Sequence, residues 1–175
     1  MMQEQQAMSR KMRQSRFLFA LAGCLVLATS LNAATNTAAL NVSVEVTSNC
    51  VIATSNLAFG KYDPLAQNST QELDAAAQVS MVCTRSSRVA VSIDSGRNPI
   101  GSSRALSGSS QRVSYQLYRD AGRTQEWGGG TNDGLQFVSE GIHKPQQLTV
   151  YGRIPPGQEV ASGMYSDVVT ATVDF

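Results

Sequence analysis

The feature that most constrains this chain is the alternation of apolar and polar residues along many short stretches. Leu40, Val42, Val44 and Val46 alternate with polar residues, a period of two that places the apolar side chains on one face of a strand. Runs of this kind predict strands with one buried face. The same period recurs at Val79–Cys83, Val89–Ile93, Val113–Leu117, Leu148–Val150 and Val169–Phe175.

Clusters of Gly, Ser, Asn, Asp and Pro separate these runs and predict turns and loops. The one stretch compatible with a helix, Gln71–Gln78, contains three consecutive alanines, but it is too short to supply a helical layer. Many short strands at near-regular spacing favour an all-β fold. We expect an immunoglobulin-like antiparallel β-sandwich, with a closed barrel as the structural alternative.

The N-terminal segment has the layout of a secretory signal peptide. An unbroken run of apolar and small residues, Phe17–Ala28, follows several basic residues and leads into small residues. It is shorter than the roughly 20 apolar residues that a membrane-spanning helix needs. We therefore expect a leader over residues 1–33 and no stable membrane span. A lipoprotein-like box, Leu21–Cys24, is a weaker alternative because the apolar run continues past Cys24.

Composition limits the functions open to the chain. Charged residues make up 15% of its 175 residues, and the net charge is +1, so no broad basic surface is available and nucleic-acid binding is disfavoured. Without the leader, Cys50 and Cys83 are the two remaining cysteines. In an exported chain this pattern favours one disulfide, with two buried thiols as the alternative.

The sequence offers little catalytic chemistry. His143 is the single histidine and precedes Lys-Pro in a predicted loop, and no nucleophile motif or phosphate-binding loop accompanies it. Two cysteines and one histidine fall short of a structural zinc site. We therefore expect neither an enzyme nor a cofactor or metal. Trp127, followed by three glycines, is interpreted as a core residue, or as the sugar-stacking face of a carbohydrate-binding module.

The strand predicted over residues 38–46 begins shortly after the leader and allows two interpretations. It is either the first strand of the chain's own sheet, which periodicity alone favours, or an extension that adds an edge strand to a neighbouring molecule. The second arrangement is a head-to-tail contact that does not close and therefore grows a filament.

Seven segments resemble the spore coat protein U domain, a family that includes the pilin subunits of archaic, Csu-type chaperone-usher pili. The resemblance covers nearly all of the chain after the leader, with its motifs in order. These segments are Val46–Cys50, Leu57–Asp63, Val79–Thr84, Val91–Gly96, Val113–Asp120, Leu148–Pro155 and Gly163–Phe175.

The resemblance implies an incomplete sandwich that lacks its last strand and leaves an apolar groove. A periplasmic chaperone fills this groove first. At an outer-membrane usher, the N-terminal extension of the next pilin subunit then replaces the chaperone strand, by donor-strand exchange. On this sequence the donor lies within residues 34–46, ahead of a pilin domain over residues 47–175. Its groove-filling side chains are Leu40, Val42, Val44 and Val46.

The resemblance also assigns roles inside the domain. Cys50 and Cys83 match the family's disulfide. The C-terminal strand, which flanks the groove and pairs with the chaperone, is matched by Val169, Ala171, Val173 and Phe175. The chain is thus expected to be a pilus subunit, exported through the periplasm to the cell surface, for attachment and biofilm formation. A self-contained secreted coat or cell-surface protein is the alternative.

Overall fold

The structure, a computed structural model, describes residues 33–108, 110–128 and 134–175. Contacts divide the chain into a unit that ends at Ser43 and a compact unit from Val44 to Phe175. Within the second unit we call residues 50–175, which contain the strands, the body. The predicted leader lies almost entirely outside the described residues, and so does Cys24 with its lipoprotein-like box. No helix within the described ranges is long and apolar enough to cross a membrane.

The body is built from short strands, as the period-two runs predict. One short 3-10 helix, Gln67–Ser69, lies between the first two strands. In the described ranges the strands are β1 (Cys50–Thr54), β2 (Leu73–Cys83), β3 (Arg88–Ile93), β4 (Arg104–Gly108), β5 (Gln111–Tyr118), β6 (Leu135–Val138), β7 (Gln146–Ile154) and β8 (Ala171–Asp174).

The strands form two sheets, ordered β1-β2-β7-β5-β4 and β6-β3-β8, and every pairing between them is antiparallel. The predicted antiparallel sandwich is confirmed. The order β1-β2-β7-β5 corresponds to strands A, B, E and D of an immunoglobulin domain, and β3-β8 to strands C and F. Strand G would lie beside β8, and no strand of the described residues occupies that position.

Alternating side chains from both sheets make the core. Along β2 the buried residues Ala77, Val79, Met81 and Cys83 alternate with more exposed ones, since successive side chains of a strand point to opposite faces. They pack against β3, whose Val91 is fully buried. The other buried apolar residues of the core cluster include Val89, Ile93, Val113, Tyr115, Leu117, Trp127, Val150 and Ile154.

A disulfide joins Cys50 to Cys83, which confirms the pairing that the two cysteines suggested. These residues lie directly opposite each other on β1 and β2. β1 is an edge strand, held by pairing with β2 alone. The bond therefore fastens the edge of the larger sheet at the point where the chain enters it.

The prediction that residues 38–46 form a strand in the chain's own sheets is wrong. Residues 33–49 form no strand, and the first strand begins at Cys50. Leu40, Val42, Val44 and Val46 are 76–88% exposed. Alternation makes a segment suited to a sheet, but a strand forms only where a partner accepts its backbone hydrogen bonds.

The alanine-rich stretch Gln71–Gln78 is not helical, because most of it belongs to β2. Ala75 pairs with Gly152 and Ala77 with Val150 of β7. Pairing to a central neighbour outweighs the intrinsic helix preference of alanine. The last strand differs from its prediction in length. The apolar run covers Val169–Phe175, whereas β8 covers Ala171–Asp174.

Candidate functional site

An open apolar groove lies between two stretches of chain and reaches the start of β8 at Ala171. We call residues 54–65, which continue from β1, the first wall. Residues 160–171, which lead into β8, are the second wall. The groove consists of two adjoining clefts. We call the one of about 440 Å3 the narrower cleft and the one of about 940 Å3 the wider cleft. They share the lining residues Leu57, Phe59, Leu106 and Asp167.

The floor of the groove is the sandwich core itself. The narrower cleft reaches Val79, Ile93, Leu117 and Val150, whereas the wider one reaches Leu73, Val113 and Ile154. At the rim of the wider cleft Leu65 and Met164 are 94% and 90% exposed. The body thus presents a continuous apolar surface from its core to its rim, with no cover from the described residues.

The first wall packs on β7 at a residue without a side chain. A Cβ at Gly152 would lie 2.8 Å from Phe59 Cζ and 3.0 Å from both δ-methyl groups of Leu57. The Phe59 ring meets Tyr115 edge-on, with 6.0 Å between centroids, a favourable aromatic geometry. The absence of a side chain at Gly152 therefore sets how deep the first wall lies.

The second wall is fastened to β4. Ser107 N donates to Ser166 O at 2.8 Å, and Ser166 N donates to Ser107 O at 3.1 Å. The neighbouring Gly108 lies so close to the Met164 carbonyl that any side chain there would collide with it. A glycine in β4 thus permits the close approach of the wall's backbone.

Asp167 ties the second wall to β5 and to the loop after β3. Its Oδ2 accepts a hydrogen bond from the Tyr115 hydroxyl at 2.8 Å. Its Oδ1 accepts bonds from Arg97 N at 3.0 Å and from Asn98 Nδ2 at 2.9 Å. Burial, together with the bond to Asp167, raises the pKa of Tyr115 well above its usual value. The phenol therefore stays protonated and keeps donating this bond.

Asp94 holds the same wall from β3. Its Oδ1 accepts bonds from Thr170 N at 2.8 Å and Gly96 N at 3.0 Å, while Asp94 N donates to Thr170 O at 3.0 Å. Burial acts to raise the pKa of Asp94, but the backbone bonds from Thr170 and Gly96 outweigh it and hold the pKa below its usual 3.8. The start of β8 is thus anchored by a charged carboxylate.

Arg104 is a buried cation that bonds to main chain rather than to a carboxylate. Its Nε donates to Asp94 O at 2.8 Å, and its Nη2 donates to Ile93 O and Trp127 O, each at 2.9 Å. Burial lowers the pKa of Arg104, and the negative charge of Asp94 acts in the opposite direction. Arginine keeps its proton in proteins, so Arg104 stays charged and links the end of β3 to the Trp127 loop.

The groove has the properties of a site for an added strand. β8 pairs with β3 on one side only, so its other edge presents unpaired N–H and C=O groups beside exposed apolar side chains. An uncovered edge of this kind associates with other chains. A strand placed there would both bond to β8 and fill the clefts with alternate side chains.

Of the four C-terminal residues assigned by resemblance, two line the groove. Val169 and Ala171 line the narrower cleft. Val173 packs against the core cluster, since it faces inward like Ala171. Phe175 is 53% exposed.

The first wall and the Asp167 network were not anticipated from the sequence. Leu57 and Phe59 do alternate with a small residue, a signal that could have marked them as lining a sheet edge. Asp167 gives no such signal, because a single acidic residue in a predicted turn is indistinguishable from a solvated one. Its partners come from Tyr115, Arg97 and Asn98, which are far apart along the chain.

The remaining candidates for chemistry lie away from the groove. Trp127 is 2% exposed, so it is a core residue and presents no face to a sugar. His143 is exposed. Among the described residues, no three His, Cys, Asp or Glu side chains are grouped so that they could hold a metal ion.

Comparisons with known proteins agree with the sequence segments quoted above. The model of the Spore Coat Protein U domain family matches residues 36–172. Protein U of Myxococcus xanthus is 36% identical over 168 residues, which cover 88% of this chain and 93% of that protein.

A chain in the crystal structure of the CsuC–CsuE chaperone–tip adhesion subunit pre-assembly complex, from the archaic chaperone-usher Csu pili of Acinetobacter baumannii, matches with a TM-score of 0.54. It is 20% identical, and the match covers 74% of this chain and 40% of that one. At this identity the likeness concerns the fold alone.

Proposed function

Since the chain belongs to the Spore Coat Protein U domain family, we propose that it is a structural subunit of an archaic chaperone-usher pilus. In this proposal subunits polymerise by donor-strand exchange, in which residues 34–46 of one copy fill the groove of the next. The fold it shares with a chain from a Csu pilus complex supports this role.

One observation carries the proposal: the groove lacks a strand, and the extension lacks a sheet to pair with. The body lacks a strand beside β8 and exposes apolar clefts, whereas the extension has an alternating apolar face and no assigned strand. Its four side chains Leu40, Val42, Val44 and Val46 are exposed. A second copy supplies what each part is missing.

The magnitude of burial supports a lasting contact. Placing an aliphatic side chain in an apolar pocket contributes about 1.5–3 kcal/mol, so four of them contribute roughly 6–12 kcal/mol before the cost of ordering the extension. The backbone bonds to β8 add to this. An interaction of this size would keep subunits joined without any covalent bond.

The open groove also implies the accessory partners. A free apolar edge aggregates, so a subunit needs a substitute strand until the next copy arrives. We assign this task to a periplasmic chaperone, and the exchange of strands to an outer-membrane usher. The leader over residues 1–33 would direct export, and the assembled pilus would serve surface attachment and biofilm formation.

Donor-strand exchange is tested by charging the apolar face of the extension. The variant Val42→Asp plus Val44→Asp should form a normal chaperone complex but no polymer, because an unpaired carboxylate is strongly unfavourable in an apolar cleft. Polymer is measured as a ladder on unheated denaturing gels and as fibres by electron microscopy.

The matched control is Asn41→Asp plus Ser43→Asp, which adds the same charge to the opposite face of the same segment. This control should polymerise like the wild type. Fibres from Val42→Asp plus Val44→Asp at wild-type yield would mean that the donor lies elsewhere.

The second candidate function, a self-contained coat protein, is favoured by the family's description and by the likeness to Protein U. In that case the extension would complete its own body. Periplasmic expression without a chaperone separates the two: light scattering of a stable monomer with a protease-protected extension would favour the coat protein. Aggregates or polymer would favour the pilus subunit.

A further inference from the structure

The residues that follow the extension are pinned to the body. Asn49 N donates to Thr84 Oγ1 at 3.0 Å, and Thr84 N donates to Asn49 O at 2.9 Å. The hydroxyls of Ser48 and Ser87 are 2.6 Å apart. Almost no free chain therefore remains between Val46, the last apolar residue of the extension, and the body. A copy whose Val46 lies in a neighbour's groove must bring its own body against that neighbour.

A loop with an exposed apolar tip stands beside this attachment point. Ser86 N donates to Ser139 O at 2.9 Å, and Ser139 Oγ donates to Cys83 O at 3.2 Å. The chain then makes a turn closed by a bond from Lys144 N to Gly141 O. At its tip Ile142 is 65% exposed. We call residues 84–87 and 139–144 the donor end.

The rim of the wider cleft lies at the opposite end of the strands. Cys83, at the donor end, is the last residue of β2, whereas Leu73 at its start pairs with Ile154. Just beyond, the Tyr62 hydroxyl donates to Pro155 O at 3.0 Å. Leu65 and Met164 line this part of the groove. We call these two residues the groove mouth.

The direction of the added strand follows from the fold. In an immunoglobulin-type sandwich the last strand runs antiparallel to its neighbour F, which here is β8. The second wall runs from the groove mouth towards the donor end, since Asp174 pairs with Ala90 near the start of β3. A strand antiparallel to it enters near the donor end and leaves at the mouth. Val46 of the incoming extension therefore emerges beside Leu65 and Met164.

We propose that the groove mouth is a second contact surface between consecutive copies of this chain, on which Leu65 and Met164 pack against the Ile142 loop of the copy whose extension fills the groove. The inference rests on the proposed function and extends it, because it adds a contact between bodies to the contact made by the extension. It also gives a partner to three exposed apolar side chains, Leu65, Met164 and Ile142.

Cross-linking tests the contact in the assembled polymer. The variant Leu65→Cys plus Ile142→Cys, polymerised and treated with a short bismaleimide, should give a ladder of covalent multimers on a reducing, heated denaturing gel. The control Val138→Cys plus Ile142→Cys places both thiols at the donor end, since Val138 is 59% exposed and pairs with Arg88. It should give no ladder.

The outcomes are distinct. The contact is supported if both double variants form polymer and a ladder appears with Leu65→Cys plus Ile142→Cys but not with the control pair. Polymer with no ladder from that pair, or with a ladder from the control pair instead, overturns it while leaving donor-strand exchange intact. Absence of polymer from wild-type protein would instead contradict the proposed function. If the double variant fails to assemble, a copolymer of the two single variants should give covalent dimers, and their absence overturns the contact.

Discussion

Single polar side chains hold the second wall of the groove by bonding to main-chain groups. Asp94 accepts hydrogen bonds from the Thr170 and Gly96 amides, and Asp167 accepts one from the Arg97 amide. Arg104 supports Asp94 from behind, since its Nε donates to Asp94 O. Because buried polar groups need partners, each of these contacts fixes a piece of irregular chain in place. The position of this wall thus depends on the charges of Asp94 and Asp167.

The acid sensitivity of the wall should depend on Asp94. Its pKa is lowered in the folded protein, so its stabilising effect is complete above the usual value of 3.8 and is lost as the pH falls through the folded-state pKa. At pH 7 we expect Asp94→Asn to reduce the free energy of unfolding by about 1 kcal/mol. Thermal unfolding of both proteins from pH 7 to pH 3 should show their difference shrinking at the acid end. If the difference in stability between the two proteins stayed constant over this pH range, lost packing rather than lost charge would explain the effect of Asp94→Asn.

At the level of elements, the period-two pattern identified the central strands and the edge strand β8, but it missed the edge strands β1, β4 and β6. β5 and β7 alternate clearly and pair as antiparallel neighbours, whereas β1, β4 and β6 are short edge strands whose sequences carry little periodicity. Fold class and the C-terminal flank of the groove could be predicted. For the first wall, alternation marks Leu57 and Phe59 as an apolar face but does not place them at the groove. Their position depends on close packing over Gly152, a contact between distant parts of the chain.

Replacing both members of the disulfide should weaken the fold without changing it. Cys50 and Cys83 close a loop with a sequence separation of 33, for which loop entropy gives roughly 3–4 kcal/mol. We expect Cys50→Ala plus Cys83→Ala to lower the free energy of unfolding in urea by about that amount. Reduced wild-type protein is the control and should lose a similar amount. A change below about 1 kcal/mol would mean that β1 is held by its pairing with β2 alone.

For the whole molecule, the central fact is a body that is one strand short of a closed sandwich. In the proposed assembly, its stability would depend on a segment supplied from outside the body, and this would couple folding to assembly. A body of this kind would be long-lived only while a partner strand fills its groove. In the proposed assembly, a bound chaperone strand would keep the groove occupied until the next subunit arrives.

Supplying the missing strand within one chain should relieve that dependence. A variant in which residues 34–46 are removed from the start of the chain and placed after Phe175, joined by a short turn, is expected to be a monomer. Its melting temperature should exceed that of the unmodified chain by well over 10 °C, since several kcal/mol of burial are added. Light scattering gives the mass and circular dichroism the melting temperature.

The matched control carries Val42→Asp and Val44→Asp in the appended strand and should remain unstable. If the two variants melt at the same temperature, the appended strand does not occupy the groove. The groove would then need a different occupant.

The bond between Cys50 and Cys83 has a mechanical consequence. In a fibre of the proposed kind, a pulling force would enter each subunit through its extension and reach the body at Cys50, the first residue of an edge strand. Without a covalent link, that force would peel β1 away from β2 one hydrogen bond at a time. Because the disulfide stands at the first pair of the ladder, tension would pass directly into β2, which is paired on both sides. Under tension the fibre would then yield at the strand held in the neighbour's groove, before the body unravels.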